Sequence, residues 1–281
     1  MAKNNLNWSE VEKLLNLAFE EDIGAGDVTT ESIFPDDALC EAVIKSKGDG
    51  ILAGLPIAKA VFEKLGEIRE WNEVKKDGEN ISNGDILVRI SGSPKQILSG
   101  ERLALNILQR LSGIATLTSR YIKAVEGLDV KIADTRKTVP GFRTLSKYAV
   151  EVGGGHNHRM GLYDGVLIKD NHIKQASGIK NAVEKIKQKV GSEYKIEVET
   201  SNMKQVSAAL EAGADIIMLD NMSDEMMKEA VELIGNKALI EASGGINLER
   251  VRQIAEIGVD IISIGALTHS AMALDLSLDM I

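Results

Sequence analysis

Residues 212–221 read AGADIIMLDN, and residues 257–266 read IGVDIISIGA. Each opens on Ala-Gly or Ile-Gly, passes through an Asp into a short apolar run, and ends on polar or glycine residues. Such a run, bounded by turn signals, reads as a buried strand. The chain between the two copies is long enough for a crossover helix, so the strands are parallel. Working outward, comparable runs occur at VKIADT (130–135), DGVLIKDN (164–171), YKIEVET (194–200) and ALIEASGG (238–245). Six successive β/α units imply right-handed crossovers. Functional-looking residues directly after each strand predict a β/α barrel, whose ligand site lies at the carboxyl ends of its strands. A doubly wound open sheet is the alternative.

Upstream the pattern differs. Ser9-Glu10-Val11-Glu12 has the form of a capping box, and Val11, Leu14, Leu15, Ala18 and Phe19 then recur at helical spacing until Gly24. Between residues 40 and 92 short β-like runs (EAVIKSK, GILAG, DILVRISG) surround one helical stretch, LPIAKAVFEKLG, as in a small α+β domain. From Pro94 a long helix is predicted through ERLALNILQRLSGIATLTSRYIKAV. Leu105, Leu108, Leu111, Ala115 and Thr118 lie on or beside its inward face, and Arg102, Asn106, Gln109 and Arg110 form a polar stripe. The expected division is residues 1–112, an N-terminal α/β domain with the start of the connecting helix, and residues 113–281, a barrel domain closing in a helical segment.

Composition narrows the function. The 281 residues carry a net charge of -9 and only 4% aromatics, which argues against stacking platforms for nucleic-acid bases and against non-specific binding to nucleic acid or anionic membranes. The start, MAKNNLNWSE, shows no apolar export segment, and no apolar run approaches the length of a membrane span. With one cysteine, Cys40, no internal disulfide can form, and a reducing cytoplasm is the expected home. Cys40 itself reads most simply as a small buried apolar residue.

The strand ends carry the chemistry: Asp134, Arg136 and Lys137; Lys169, Asp170 and Asn171; Glu197 and Glu199; Asp220 and Asn221; Ser243, Gly244 and Gly245; and Gly265. Any one of these reads equally well as a polar loop residue, but a barrel brings all six ends to one mouth. Glu197 and Glu199 share a strand face. A carboxylate facing a barrel interior needs a cation to offset its desolvation. With Asp220 one strand later, the set suits Mg²⁺ bound together with substrate phosphates; an internal ion-pair network with Lys169 or Lys137 is the competing reading. Ser243-Gly244-Gly245 and Gly265-Ala266 end the last two strands, where barrels often hold a phosphate on backbone N–H groups. His156-x-His158 invites a zinc reading, but it follows Gly153-Gly154-Gly155, and the other histidines are His172 and His269 alone. Arg and His flanking glycine suit a planar carboxylate better. Arg136, Lys137, Arg143, Lys147, His156, His158 and Arg159 crowd one short stretch with only Glu151 as counterweight, so a small anion belongs there.

DTRKTVPGFR (134–143), KYAVEVGGGHNHRMGLYDGVLIKDNH (147–172), IEVE (196–199), MLDN (218–221), EASGGI (241–246) and IGALTHSAMALDLSLDM (264–280) resemble the quinolinate phosphoribosyltransferases. EDIGAGDVTT (21–30) and ERLALNILQRLSGIAT (101–116) are similar as well, so the resemblance spans almost the whole chain. It implies an N-terminal α/β sandwich-like domain plus a C-terminal incomplete β/α barrel, in a homodimer whose sites are shared between subunits. It implies further that Arg102 from the partner chain, Arg136, His158, Arg159 and Lys169 surround the carboxylates of quinolinate. Lys137 and Lys169 would meet 5-phosphoribosyl 1-pyrophosphate, with Glu199 and Asp220 at its ribose and Mg²⁺. Ser243, Gly244, Gly245 and Gly265 would cradle its 5′-phosphate, with Ile264, Ala266 and His269 beside them. Lys137, Lys169, Glu199 and Asp220 are the catalytic candidates, and whether Glu197 or Glu199 is the principal carboxylate stays open. The implied activity is decarboxylating phosphoribosyl transfer in NAD biosynthesis. A related transferase acting on another acid, or a non-catalytic quinolinate-binding protein, is the alternative.

Overall fold

A computed structural model of the chain describes residues 6–281; residues 1–5, part of the stretch read above for an export signal, lie outside the described residues. Compactness divides the chain into two units. Residues up to 119, 138–154 and 266–281 form the first, and residues 120–137 with 155–265 form the second. In chain order the elements are α1 (Trp8–Asp22), α2 (Val28–Ile33), β1 (Cys40–Ser46), β2 (Gly50–Ile51), α3 (Leu55–Leu65), β3 (Glu70–Glu73), β4 (Asn80–Ile81), β5 (Ile86–Gly92) and α4 (Pro94–Ala124). There follow β6 (Lys131–Ala133), α5 (Arg143–Val152), β7 (Val166–Ile168), α6 (Asp170–Gln175), α7 (Ile179–Val190), β8 (Ile196–Thr200), α8 (Met203–Glu211), β9 (Ile216–Asp220), α9 (Asp224–Ile234), β10 (Leu239–Ser243), α10 (Val251–Glu256), β11 (Ile261–Ser263), α11 (Ala266–His269) and β12 (Leu276–Met280).

The first unit is built on an antiparallel sheet in the order β12-β1-β5-β3. Two sequence expectations are corrected here. Helix α1 starts at Asn7, whose carbonyl accepts the N–H groups of Glu10 and Val11 at 3.0 and 3.1 Å, and Ser9 lies inside the first turn. Leu6 and Val11 are both buried, at the two positions of a hydrophobic staple, and this sets the entry earlier than the capping-box pattern. The chain also closes in a strand rather than a helical segment: β12 pairs antiparallel with β1 from Ala42↔Met280 to Ser46↔Leu276. Leu276 and Leu278 are buried on alternate positions, a period of two that becomes decisive once β1 offers an open edge.

Helix α4 is the spine of this unit. Its Ser112 and Thr116 hydroxyls accept the N–H groups of Ala53 and Ile51 at 3.0 and 2.8 Å. Two members of the stripe read as polar bind the C-terminal segment: Gln109 Nε2 donates to the Leu276 carbonyl at 2.9 Å, and the Arg110 guanidinium donates to the carbonyls of Thr268 and Ala271. Gly113 lies where that segment crosses the helix, and a methyl group there would overlap the Met272 carbonyl oxygen.

The second unit holds a six-stranded parallel sheet in the order β6-β11-β10-β9-β8-β7. Neighbours follow chain order around a ring, with the opening between β6 and β7, so this is an incomplete β/α barrel. A doubly wound sheet would reverse its order part-way. The helix following β6, α5, belongs to the first unit. The two echoing segments act alike: Asp215 and Asp260, each just before its strand, accept the N–H of Ile196 and of Ile240 at 2.7 Å. On the outer face Val198, Ile217, Leu219, Ile240, Ala242 and Ile262 are buried, as are Val206, Ala209, Ala230, Ile234 and Ile254 of the covering helices. The inner positions include Glu197, Glu199, Asp220, Glu241, Ser243 and Ser263. Branched apolar chains usually fill a barrel; here Met218 and Ile261 share the inner face with these polar residues, and a cleft opens at the carboxyl edge. No helix among the described residues is long and apolar enough to cross a membrane.

Replacing Gly113 by Ala sets a gain of about 1 kcal/mol in helix propensity against a clash with backbone that cannot rotate away. Overpacking of that kind costs about 1–3 kcal/mol, so Gly113→Ala is expected to lower the urea midpoint. An unchanged or raised midpoint would show that the crossing segment yields.

Candidate active site

The carboxyl edge of the parallel sheet opens into a cleft of about 350 Å³. Arg136 and Lys137 reach it from the end of β6, Lys169 from β7, Glu199 from β8, Asp220 from β9, and Ser243, Gly244 and Gly245 from β10. His158 and Arg159 come from the segment after Gly155. That segment is seated against β6: the His156 N–H donates to the Ile132 carbonyl at 2.8 Å, and the buried Asp134 carboxylate accepts the His158 N–H at 3.0 Å. Thr135, Leu167, Met218, Asn221, Glu241 and Ser263 complete the lining.

The remaining sequence candidates are not among the residues that line this cleft. Ile264 is buried, and its N–H donates to the Ala133 carbonyl at 2.9 Å, so it extends the sheet beyond β11, with Gly265 following. Ala266 and His269 belong to α11 and Arg102 to α4, all in the first unit; Arg102 and His269 are exposed there. His172 Nδ1 accepts the Lys169 N–H at 3.0 Å.

Electrostatics divide the cleft. On one side burial and then the neighbouring Arg136 hold the Arg159 guanidinium below its ordinary value. Two guanidinium groups this close favour an anion between them. On the other side burial pushes the Glu199 carboxyl up, Lys169 pulls it down, and Asp220 pushes it up again. Lys169 Nζ stands 3.5 Å from Glu199 Oε2. Two carboxylates on adjacent strands beside one cleft suit a hard divalent cation with oxygen ligands.

Beneath these groups lies an arrangement that the sequence reading touched only in part. Glu197 is 4% exposed, and its Oε2 accepts from His158 Nε2 at 3.0 Å. Glu241 is 1% exposed, with Oε1 3.7 Å from the same nitrogen. Burial first, and the Glu197 carboxylate second, push the Glu241 carboxyl up to about 7. Glu197 was recognisable as an inward carboxylate needing a partner; Glu241 was missed. The available signal was its place at the centre of the apolar strand LIEAS, where a solvated Glu has no reason to be.

A glycine cradle closes one end. Asn221 has φ 55°, its N–H donates to the Ser243 carbonyl at 2.9 Å, and its Nδ2 donates to Asp220 Oδ2 at 2.8 Å. Gly244, at φ 92°, lies so close that a methyl group there would overlap the Asn221 side chain. Small residues thus let the backbone turn inward and approach a ligand.

An open parallel barrel with guanidinium groups, paired carboxylates and a glycine cradle at its carboxyl edge defines an α/β protein shaped for a multiply charged small anion. Residues 27–112 match the family description "Quinolinate phosphoribosyl transferase, N-terminal domain", and residues 114–279 match its C-terminal domain. A Bacillus subtilis protein described as a probable nicotinate-nucleotide pyrophosphorylase [carboxylating] is 46% identical, covering 98% of this chain and 95% of that one. A Methanocaldococcus jannaschii protein of the same description is 44% identical over 96% of both. The solved nicotinate-nucleotide pyrophosphorylase from Francisella tularensis superposes with a TM-score of 0.94 at 38% identity, covering 99% of this chain and 98% of that one. The chain belongs to the quinolinate phosphoribosyl transferase family, a family of pentosyl-transferring glycosyltransferases.

The left-handed backbone at Asn221 yields a prediction. Asn tolerates that conformation and a β-branched residue does not, so Asn221→Val is expected to cost about 1–3 kcal/mol and Asn221→Gly much less. Urea denaturation of the two variants checks the order; equal losses would remove backbone strain as the cause.

Proposed function

We propose that the protein transfers the phosphoribosyl group of 5-phosphoribosyl 1-pyrophosphate to the ring nitrogen of quinolinate and releases the 2-carboxylate as CO2, giving nicotinate mononucleotide and pyrophosphate. The observation that carries this reading is the crowding of Arg136 and Arg159 in one wall of the cleft. Bidentate guanidinium forks suit a planar dicarboxylate. Lys169, His158 and Arg102 of the partner subunit complete that wall in a homodimer with shared sites. The family descriptions meet at residues 112 and 114, which supports keeping the functional division there. A cytoplasmic setting belongs to the same reading, since the lone Cys40 needs no oxidising compartment.

The ring nitrogen attacks C1′ as the bond to pyrophosphate breaks. Glu199 and Asp220 lie where carboxylates stabilise the positive charge that develops on the ribose. Lys137 and Lys169 meet the leaving pyrophosphate, and the turn at Ser243, Gly244 and Gly245 receives the 5′-phosphate. Glu199 and Asp220 would hold Mg²⁺, which when bound supplies charge neutralisation for the pyrophosphate. Alkylation makes the pyridine cationic. The C2–carboxylate bond then breaks, its electron pair stays on C2 beside that charge, and a proton from solvent replaces the carboxylate. The residues need only hold the dianion in register, so their contribution is positioning.

Mixing the protein with quinolinate, 5-phosphoribosyl 1-pyrophosphate and Mg²⁺ is expected to release CO2 and form nicotinate mononucleotide; folded protein that binds quinolinate without turnover would sink the proposal. Arg159→Ala is expected to raise KM for quinolinate by about 10- to 100-fold, the worth of a charge-assisted bond pair, with less effect on KM for the phosphoribosyl donor. The shared-site dimer has its own check. Arg102→Ala and Lys137→Ala subunits, each impaired alone, are expected to recover activity in verified mixed dimers, because one of the two sites is then intact; no recovery would contradict sharing.

A further inference from the structure

No residue of EDIGAGDVTT (21–30) lines the cleft, although this stretch is one of those that resemble the family. Its two glycines turn the chain out of α1 at φ 55° and 137°, and Asp27 follows them. Asp27 caps α2, its Oδ1 accepting the Thr30 N–H at 3.0 Å. A cap needs one oxygen only. The other, Oδ2, accepts the hydroxyls of Thr30 at 2.5 Å and of Ser99 at 3.1 Å. Asn or Ser would cap the helix as well, but a carboxylate, which accepts on both oxygens, suits three donors at once. The bond to Ser99 spans 72 residues of chain, so it is a tertiary tie to α4 and not part of the local turn.

On α4, Lys95, Ser99 and Arg102 follow one another at spacings of four and three, along one stripe of the helix. Lys95 Nζ stands 2.6 Å from Asp36 Oδ1, so the chain from Asp27 to Asp36 runs along the first two turns of that stripe. Asp36 is 98% exposed, and such a surface pair contributes little; the part-buried bond from Ser99 to Asp27 is the firmer tie. Arg102 comes one turn later and is exposed. A helical side chain leans back over the turn before its own Cα, which for Arg102 is the turn that carries Ser99. A segment tied at Ser99 therefore limits where that guanidinium can go.

We propose that Asp27 is a positioning residue of the quinolinate site: through the Ser99 hydroxyl it holds residues 27–36 against α4 and so directs Arg102 toward the cleft of the partner subunit. The proposal rests on the shared-site reading above. A guanidinium fork meets a planar carboxylate with two N–H groups in a narrow range of orientations. A long exposed side chain loses rotamer freedom when it is fixed there. Removing the unproductive rotamers beforehand lessens that loss on binding.

Ser99→Ala cuts the tie and leaves the Asp27 cap of α2 in place, and alanine favours the helix, so the variant keeps its fold. Its KM for quinolinate is expected to rise about 2- to 10-fold, the worth of one hydrogen bond, with KM for the phosphoribosyl donor unchanged. Adding Ser99→Ala to Arg102→Ala is expected to change nothing further, because the tie acts only through the residue it directs. An unchanged quinolinate KM in Ser99→Ala, or an equal further rise on top of Arg102→Ala, overturns the proposal.

Mixed dimers with one working cleft separate this role from a merely structural one. Ser99→Ala paired with Lys137→Ala is expected to show the wild-type quinolinate KM, because the arm over the working cleft then comes from the chain that keeps Ser99. Wild type paired with the Ser99→Ala/Lys137→Ala double variant is expected to show the raised KM. The reverse pattern overturns the proposal. Absence of recovery between Arg102→Ala and Lys137→Ala would instead remove the shared-site reading, and the comparison in the Arg102→Ala background would still decide whether Ser99 acts through Arg102.

Discussion

A β-strand sends alternate side chains to opposite faces, and in the parallel sheet of the second unit one face is mainly apolar while the other mixes polar with apolar residues. Val198, Ile217, Leu219, Ile240, Ala242 and Ile262 bury themselves on the outer side, which suffices to fix register, because a one-residue slip would exchange the two faces. The inner positions are thereby released from packing. Glutamate, aspartate and serine occupy many of them, beside Met218 and Ile261, and a cleft opens at the carboxyl edge. Every later feature of the site depends on that division.

Open space lined by charge has to be balanced, and the balance differs between the two ends of the cleft. Arg136 and Arg159 line one end together. Glu199 and Asp220 line the other, with Lys169 3.5 Å from Glu199. A dicarboxylate beside the first and a metal-bound pyrophosphate beside the second would suit these linings, in keeping with the proposed phosphoribosyl-transfer reaction. No nucleophile is needed for it. Lys169 joins the two ends, since its ammonium is 3.5 Å from Glu199 and it lines the same cleft as the guanidinium groups.

Much of this was legible before any coordinates. The six strands, the helix Pro94–Ala124 and the polar strand ends follow from periodicity and turn residues, all local signals. The glycine cradle was readable because Gly244 and Gly245 require backbone angles that side chains resist. Three features escaped. Leu276–Met280 alternates too briefly to declare itself a strand until β1 presents an edge. The start of α1 was misplaced because burial of Leu6 outweighed a plausible capping pattern. Glu241 stayed silent because a buried acid differs from an exposed one only in its neighbours.

The amino-acid sequence by itself determined which residues alternate, where strands end, and which charges and glycines stand at those ends; these depend on residues two to four positions apart. Only the tertiary structure decided that Glu197 and Glu241, on β8 and β10 with β9 between them, meet one imidazole. The physical reason is that desolvation and charge pairing act through space. A carboxyl that would ionise freely in water must share or keep a proton once another chain segment excludes the water and brings a like charge beside it.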